Sequence, residues 1–344
     1  MIQIKDKKKI LSIFLIIFLS LVLSLSIEKF QYALDGGYVL SGLVKYPDNS
    51  PMQYYYLNSW TFLHQFSALL LKLGFNGNFI SVIILFLSSC FYSLGVFFVS
   101  KIITRTTLFP LILTFSVLIL GKNFGDTDYP SLIFSEHSFG MVSFALCTLI
   151  LGLIANNNIF LSSFSLGFLL CIHPVIGIWM IALFLLILIY NKKKFENRSL
   201  TFGFVLGLFA SILSLYFYSK TFINFGDTNE QLYKIFLDNW DGHRNTETGL
   251  HYEYLIKSFL LLVMLFIYKA INSKDITKNL EILINYIITL IVASVSFYLL
   301  YKIIPNIFPE ILIKVMPSRF LMIYSFLGWP IIISIIYFLI FNKF

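Results

Sequence analysis

The sequence has little charge and little polar surface. Of its 344 residues only 12% are Asp, Glu, Lys or Arg, whereas 58% are hydrophobic and the mean hydropathy is +0.85. A water-soluble globular protein needs more polar residues to cover its surface, so this class of protein is excluded. Apolar runs of about sixteen to twenty residues recur along the whole chain and indicate a multispanning membrane protein.

Cysteine is also scarce, and the three cysteines do not form a motif. Cys90, Cys147 and Cys171 each lie within an apolar run and have no metal-binding or redox spacing. A disulfide framework and a zinc site are therefore not indicated. The net charge of +8 does not indicate a nucleic-acid partner, because the basic residues are divided among the ends of the apolar runs and form no soluble basic face.

The apolar runs predict an all-α bundle of about ten transmembrane helices, which forms a single transmembrane domain of residues 1–344. The predicted spans are 10–27, 79–100, 106–121, 139–155, 159–172, 175–190, 199–218, 254–270, 283–301 and 320–341. The stretch from Trp60 to Leu70, which Lys72 follows, has apolar residues at helical spacing and predicts a further helix lying in the membrane interface.

The distribution of positive charge predicts that both termini face the cytoplasm. With the Lys-rich start inside, the inner loops hold fourteen basic and four acidic residues, and the other eleven basic and thirteen acidic residues lie outside. This split follows the positive-inside rule. A single broken span around His173 and Pro174 would reverse the later loops, so two short spans are favoured there. Residues 1–27 also match a cleaved signal peptide, although their apolar run is long for that role.

The predicted spans contain no Asp, Glu or Arg. Ion-coupled carriers usually need an ionisable group within the membrane, so a coupled transporter is disfavoured. The long segments are the outer ones, 28–78, 122–138, 219–253 and 302–319, and all five histidines lie on that side. We therefore expect the functional residues in the outer segments.

The first two outer segments offer acidic candidates. Asp35 precedes two glycines. They either let a ligand approach the backbone closely, so that the Asp35 carboxylate is presented to it, or form an ordinary Asp-Gly turn. Asp126 and Asp128 are spaced so that they can hold one divalent ion, but an Asp-x-Asp pair is also common in solvated loops. Glu136 and His137 either bind the substrate or cap the helix that follows.

The later outer segments offer histidines, an aromatic residue and cations. His173 precedes a proline that interrupts the helix near the outer boundary, where the imidazole is either structural or exposed to a cavity. Trp240, His243 and Arg244 supply stacking and hydrogen-bonding groups suited to a sugar or a phosphate. Arg319 in the first turn of the last span either binds a phosphate or extends to the lipid headgroups.

The order of these motifs resembles the GT-C superfamily of polytopic membrane glycosyltransferases. The resemblance rests on the basic start, a long first outer loop with an acid and a surface helix, a second outer loop with acids, the hairpin that ends at His173-Pro174, and the late Pro317-Ser318-Arg319-Phe320. It covers the whole chain. The resemblance is to the small bacterial members of the superfamily, which often lack the soluble C-terminal domain.

This resemblance implies an inverting glycosyltransferase that uses a polyprenyl-phosphate-linked sugar at the outer face of the bacterial cytoplasmic membrane. Asp35 would be the general base, Arg319 would bind the departing lipid phosphate, and Asp126 and Asp128 would hold Mg²⁺ or Mn²⁺ or orient the acceptor. The acceptor would be a glycan, a lipid or a protein. Asp35, Asp126 and Arg319 are then expected to line one cavity.

Three other functions remain open at the level of the sequence. A polysaccharide polymerase or ligase of the O-antigen kind would move the site to His243, Arg244 and His251. A flippase or transporter for lipid-linked glycans would need a charged cavity between the helices, and a non-catalytic membrane scaffold would need no site at all.

Overall fold

The computed structural model describes residues 4–26, 34–47, 50–120, 139–190, 197–222, 252–272, 275–304 and 323–341, with residues 235, 239, 320 and 321. Over these ranges the chain is helical and has no strand. The α-helices are α1 (Ile4–Ser26), α2 (Asp35–Ser41), α3 (Pro51–Asn58), α4 (Phe62–Lys72), α5 (Gly77–Thr104), α6 (Leu108–Ile119), α7 (Phe139–Ala155), α8 (Ile159–Ile172), α9 (Pro174–Tyr190), α10 (Asn197–Phe222), α11 (Tyr252–Ile271), α12 (Lys278–Ile303) and α13 (Trp329–Phe341). A π-helix, Tyr324–Gly328, precedes α13.

The predicted helix bundle is confirmed, and each predicted span overlaps an apolar helix. Among the described residues, five helices are long and apolar enough to cross a membrane: Lys7–Ser26, Gly77–Thr104, Arg198–Lys220, Glu253–Ile271 and Lys278–Ile303. The other five apolar helices are shorter, at 10 to 17 residues. A membrane protein is therefore supported, and the count of ten crossings stays a prediction.

Short α7 lies in the interior of the bundle, where it packs on α5 through glycines. A Cβ atom added to Gly95 would come 2.4 Å from the carbonyl oxygen of Thr148, and one added to Gly152 would come 2.8 Å from the Cα of Gly95. Most residues of α7 are buried. An apolar helix of 17 residues that is covered by neighbouring helices fits a core position, where its length need not match the lipid.

Helices α8 and α10 also pack closely through small residues. A Cβ atom added to Gly207 would come 2.2 Å from the carbonyl oxygen of Phe164, and one added to Gly167 would come 2.7 Å from the backbone nitrogen of Leu208. Gly203 and Gly207 are four residues apart on one face of α10 and let the two backbones approach, as small residues do in membrane helix pairs.

The two ends of the bundle can be told apart by their contacts. At one end Arg105, after α5, donates a hydrogen bond to the carbonyl oxygen of Asp275 in the α11–α12 turn at 2.9 Å, and Tyr268 donates to the carbonyl oxygen of Ile103 at 3.0 Å. The segment of residues 35–72, which contains α2, α3 and α4, lies at the other end, where α5 begins. We call it the α2–α4 segment.

Candidate functional site

Asp35 is the first residue of α2 and does not lie in an Asp-Gly turn, so that alternative is wrong. An acidic residue in the first turn of a helix is stabilised by the positive end of the helix dipole. The turn comes at the other end of α2, where Gly42 ends the helix with a φ of 80°. The carboxylate of Asp35 is partly buried at the start of the helix.

The two glycines after Asp35 let a helix approach, and not a ligand as the sequence suggested. A Cβ atom added to Gly36 would lie 2.3 Å from Nδ1 of His64, and one added to Gly37 would lie 2.6 Å from Cβ of Ser67. Both neighbours belong to α4. The glycine pair therefore fixes the distance between α2, which carries Asp35, and α4.

The Asp35 side chain is held by a tyrosine from α3. The hydroxyl group of Tyr56 donates a hydrogen bond to Oδ2 of Asp35 at 3.2 Å. Burial raises the pKa of Asp35, and the bond from Tyr56 opposes this effect. Burial and the nearby Asp35 charge also raise the pKa of Tyr56, as they do for Tyr46, so both phenols stay protonated at neutral pH. The site thus pairs a carboxylate of increased basicity with a hydroxyl donor.

His64 lies beneath this pair and is 5% exposed. Its ring makes edge contacts with the ring of Tyr56, at a centroid distance of 6.1 Å, and with the ring of Phe139, at 5.6 Å. Its Nδ1 atom is buried and has no hydrogen-bond partner within the described chain. Burial lowers the pKa of His64 to about 4, so the imidazole is neutral at physiological pH.

Hydrogen bonds attach α4 to the ends of α8 and α10. The hydroxyl group of Thr61, which caps α4, donates to the carbonyl oxygen of Ile172 at 2.8 Å. Gln65 and Ser214 make a reciprocal pair, in which Nε2 of Gln65 donates to the Ser214 carbonyl oxygen at 3.0 Å and the Ser214 hydroxyl donates to Oε1 of Gln65 at 2.7 Å. Tyr218 also donates a hydrogen bond to the carbonyl oxygen of Leu57, at the end of α3. The α2–α4 segment is therefore fixed to the bundle.

His173 has a structural role in the junction between α8 and α9. It is 4% exposed, and its Nδ1 atom accepts a hydrogen bond from the backbone N–H of Ile176 at 3.4 Å, as a capping side chain does at a helix N-terminus. Its ring lies 5.1 Å from that of Phe139. His173 is thus connected to His64 through one aromatic ring, at the same end of the bundle as Asp35.

The other predicted site residues lie outside the described residues: Asp126, Asp128, Glu136, His137, Trp240, His243, Arg244 and Arg319. Their proposed roles stay predictions, as does the cavity that Asp35 was expected to share with Asp126 and Arg319. In the part of the chain that the structure describes, no three His, Cys, Asp or Glu side chains are grouped so that they could hold a metal ion.

Sequence reasoning missed Tyr46, Tyr56 and His64 as members of the site. Tyr56 is 21 residues from Asp35, and no periodic pattern connects them. His64 did carry a signal, because it occupies the buried face of α4 together with Leu63, Ser67, Ala68 and Leu71. A histidine on the buried stripe of an amphipathic helix indicates an internal contact.

Comparison with known proteins gives no relative from which a role can be transferred. No family model matches the chain, and no match is found among curated proteins or among solved structures.

Proposed function

We propose that this protein is a membrane glycosyltransferase that transfers a sugar from a polyprenyl-phosphate donor, with Asp35 as the general base. The observation that carries the proposal is the state of Asp35: a partly buried carboxylate of raised pKa, held by the Tyr56 hydroxyl at 3.2 Å. A raised pKa makes a carboxylate a stronger base towards a hydroxyl group at neutral pH.

In the proposed reaction Asp35 takes the proton of an acceptor hydroxyl group. The acceptor oxygen then attacks the anomeric carbon from the face opposite the phosphate, and the bond from that carbon to the phosphate oxygen breaks. The electron pair of this bond leaves with the polyprenyl phosphate, whose growing negative charge needs a cation. Arg319 is our proposed cation, and Asp126 and Asp128 are our proposed metal or acceptor ligands.

A groove between α11 and α12 suits the lipid part of such a donor. It has a volume of about 470 Å³, and its walls are almost entirely apolar. The lining residues are Leu255, Ile256, Phe259, Leu262, Val292, Val295, Ser296 and Leu299. They belong to the halves of α11 and α12 that lie away from the turn at Asp275, and therefore towards the end where the α2–α4 segment lies. An isoprenoid chain in this groove would bring its phosphate to that end.

We further propose that this end faces the outside of the bacterial cytoplasmic membrane, with both termini in the cytoplasm. The positive-inside distribution of Lys and Arg supports this orientation. The pairing of Arg105 with the α11–α12 turn also supports it, because both were assigned to inner loops from charge alone.

The proposal is tested by measuring sugar transfer from polyprenyl-phosphate donors by the purified protein. We expect Asp35→Asn to lower kcat by about 10²- to 10⁴-fold, the usual contribution of a general base. Asp275→Asn is the matched control, because this exposed aspartate lies at the opposite end of the bundle. Arg319→Ala should also reduce transfer.

Two results would contradict the proposal. Full activity of both Asp35→Asn and Arg319→Ala would show that these residues do not form the active site. Loss of transfer in His243→Ala, with Asp35→Asn active, would favour a polymerase or ligase of the O-antigen kind instead.

A further inference from the structure

The two carboxylate oxygens of Asp35 are not equivalent. Oδ2 accepts the hydrogen bond of Tyr56 at 3.2 Å. Among the described residues, no other group donates a hydrogen bond to the Asp35 side chain, so Oδ1 is left without a donor. A general base needs one oxygen that can reach the substrate proton, and it benefits when the other oxygen is fixed.

Tyr56 is itself held on several sides, so the position of its hydroxyl group is set by packing. Its ring stacks with that of Tyr46 at a centroid distance of 6.4 Å and an angle of 24°. It makes edge contacts with the rings of Tyr55 at 5.4 Å and His64 at 6.1 Å. A donor held in this way loses little freedom when it binds a carboxylate, which makes it suited to orienting one.

We propose that Tyr56 is the positioning residue of the base: it holds Oδ2 of Asp35 and thereby leaves Oδ1 as the oxygen that takes the acceptor proton. This inference rests on the proposed function, because it takes Asp35 as the base. The proton passes from the acceptor hydroxyl to Oδ1, and Tyr56 keeps its own proton throughout. Tyr56 therefore affects the rate through Asp35 and does not contact the reacting atoms.

The test compares Tyr56→Phe with Tyr55→Phe. Both changes remove one phenolic hydroxyl from α3 and keep the ring, but only Tyr56 bonds to Asp35. We expect Tyr56→Phe to lower kcat by roughly tenfold or more, the effect of losing a hydrogen bond to a charged group. The KM for the donor should stay within about twofold, because the lipid and sugar contacts are unchanged. In Tyr56→Phe the acid limb of the pH–activity profile should move to higher pH, because the hydrogen bond that favours the ionised Asp35 carboxylate is lost.

A second readout does not depend on activity. Infrared spectroscopy follows the carboxyl band of Asp35, assigned by its absence in Asp35→Asn, as the pH is varied. We expect the titration midpoint to rise in Tyr56→Phe and to stay at the wild-type value in Tyr55→Phe. Gel filtration in detergent confirms that each variant is folded and monodisperse.

The outcomes separate the two proposals. An active enzyme whose kcat, pH profile and infrared midpoint are unchanged in Tyr56→Phe would overturn the role of Tyr56 and leave the proposed function standing. A wild-type protein that transfers no sugar from any polyprenyl-phosphate donor would overturn the proposed function and the catalytic role of Tyr56 together, even where the infrared midpoint moves.

Discussion

Replacing Gly36 by alanine should disrupt the contact between α2 and α4 directly under Asp35. The added methyl group would lie 2.3 to 2.5 Å from three ring atoms of His64, which is far closer than carbon and nitrogen atoms approach in folded proteins. The His64 ring cannot easily withdraw, because it is buried against the rings of Tyr56 and Phe139. We therefore expect α2 to be displaced, and Asp35 with it.

The size of the effect follows from two opposing contributions. Overpacking a well-packed site costs about 1 to 3 kcal/mol, whereas alanine in place of glycine within a helix gains up to about 1 kcal/mol. The distance of 2.3 Å places the overpacking cost in the upper part of its range, at about 2 to 3 kcal/mol, so the net cost is about 1 to 2 kcal/mol in the stability of the α2–α4 segment. Such a cost increases the rate of amide hydrogen exchange by roughly 5- to 30-fold where exchange follows local opening.

Hydrogen–deuterium exchange of peptides from α2 and α4, read by mass spectrometry in detergent, measures this change. In the His64→Ala background the ring is absent, and Gly36→Ala should then be neutral or slightly stabilising. Gly37→Ala is the matched control, because its methyl group would meet Cβ of Ser67 at 2.6 Å and not His64. The destabilisation caused by Gly37→Ala should therefore persist in the His64→Ala background.

The reasoning would be refuted if Gly36→Ala exchanged at the wild-type rate. It would also be refuted if the cost of Gly36→Ala were the same with and without the His64 ring, since the two residues would then not be in contact. The reasoning would fail as well if Gly36→Ala and Gly37→Ala increased the rate of amide exchange equally in the His64→Ala background.

Three further predictions follow from other contacts. Burial lowers the pKa of His64 to about 4 in the folded protein from about 6.5 in the unfolded chain, so its contribution to stability, about 3 kcal/mol, is present above pH 6.5 and is lost as the pH falls towards 4. The Asp35→Asn background removes the opposite contribution of the raised Asp35 pKa. In that background, the melting temperature of His64→Phe should depend less on pH than that of the protein with His64. Val292→Trp, which fills the α11–α12 groove, should raise KM for a long-chain donor more than for a short-chain one, and Ile267→Trp on the exposed surface of α11 should raise neither. Gly207→Leu should separate α8 from α10 and lower the melting temperature in detergent by several degrees, and an unchanged value would contradict the close packing.

The helices could be predicted from the sequence because hydrophobic length and local end signals determine them. The predicted spans 159–172 and 175–190 correspond to Ile159–Ile172 and Pro174–Tyr190. The boundary between them is local: Asn158 caps the first helix, and Pro174 opens the second, as proline does at a first helical position. Such signals need no knowledge of the rest of the fold.

The site could be predicted only in part, because its contacts join residues that are distant in sequence. The residue type of Asp35 and its position after the first span predict it as a candidate site residue. Its partner Tyr56 comes from a different helix and could not be predicted in this way. The glycines after Asp35 were interpreted as a place for a ligand or a turn, since sequence alone does not show that another helix occupies that space. A contact that depends on tertiary packing has no periodicity from which it can be predicted.

Rigid attachment of the α2–α4 segment supports the proposed role of Asp35 as a base next to a membrane-bound donor. The donor would be held by the bundle, so the base must keep a constant position relative to the bundle helices. Asp35 meets this requirement through packing and hydrogen bonds: Gly36 and Gly37 set α2 against α4, and the side chains of Thr61 and Gln65 bond α4 to backbone carbonyl groups of α8 and α10. A carboxylate on a free loop would lose the same position whenever the loop moved. The glycine pair, which carries no chemistry of its own, is therefore as important to the proposed reaction as the hydrogen bond from Tyr56.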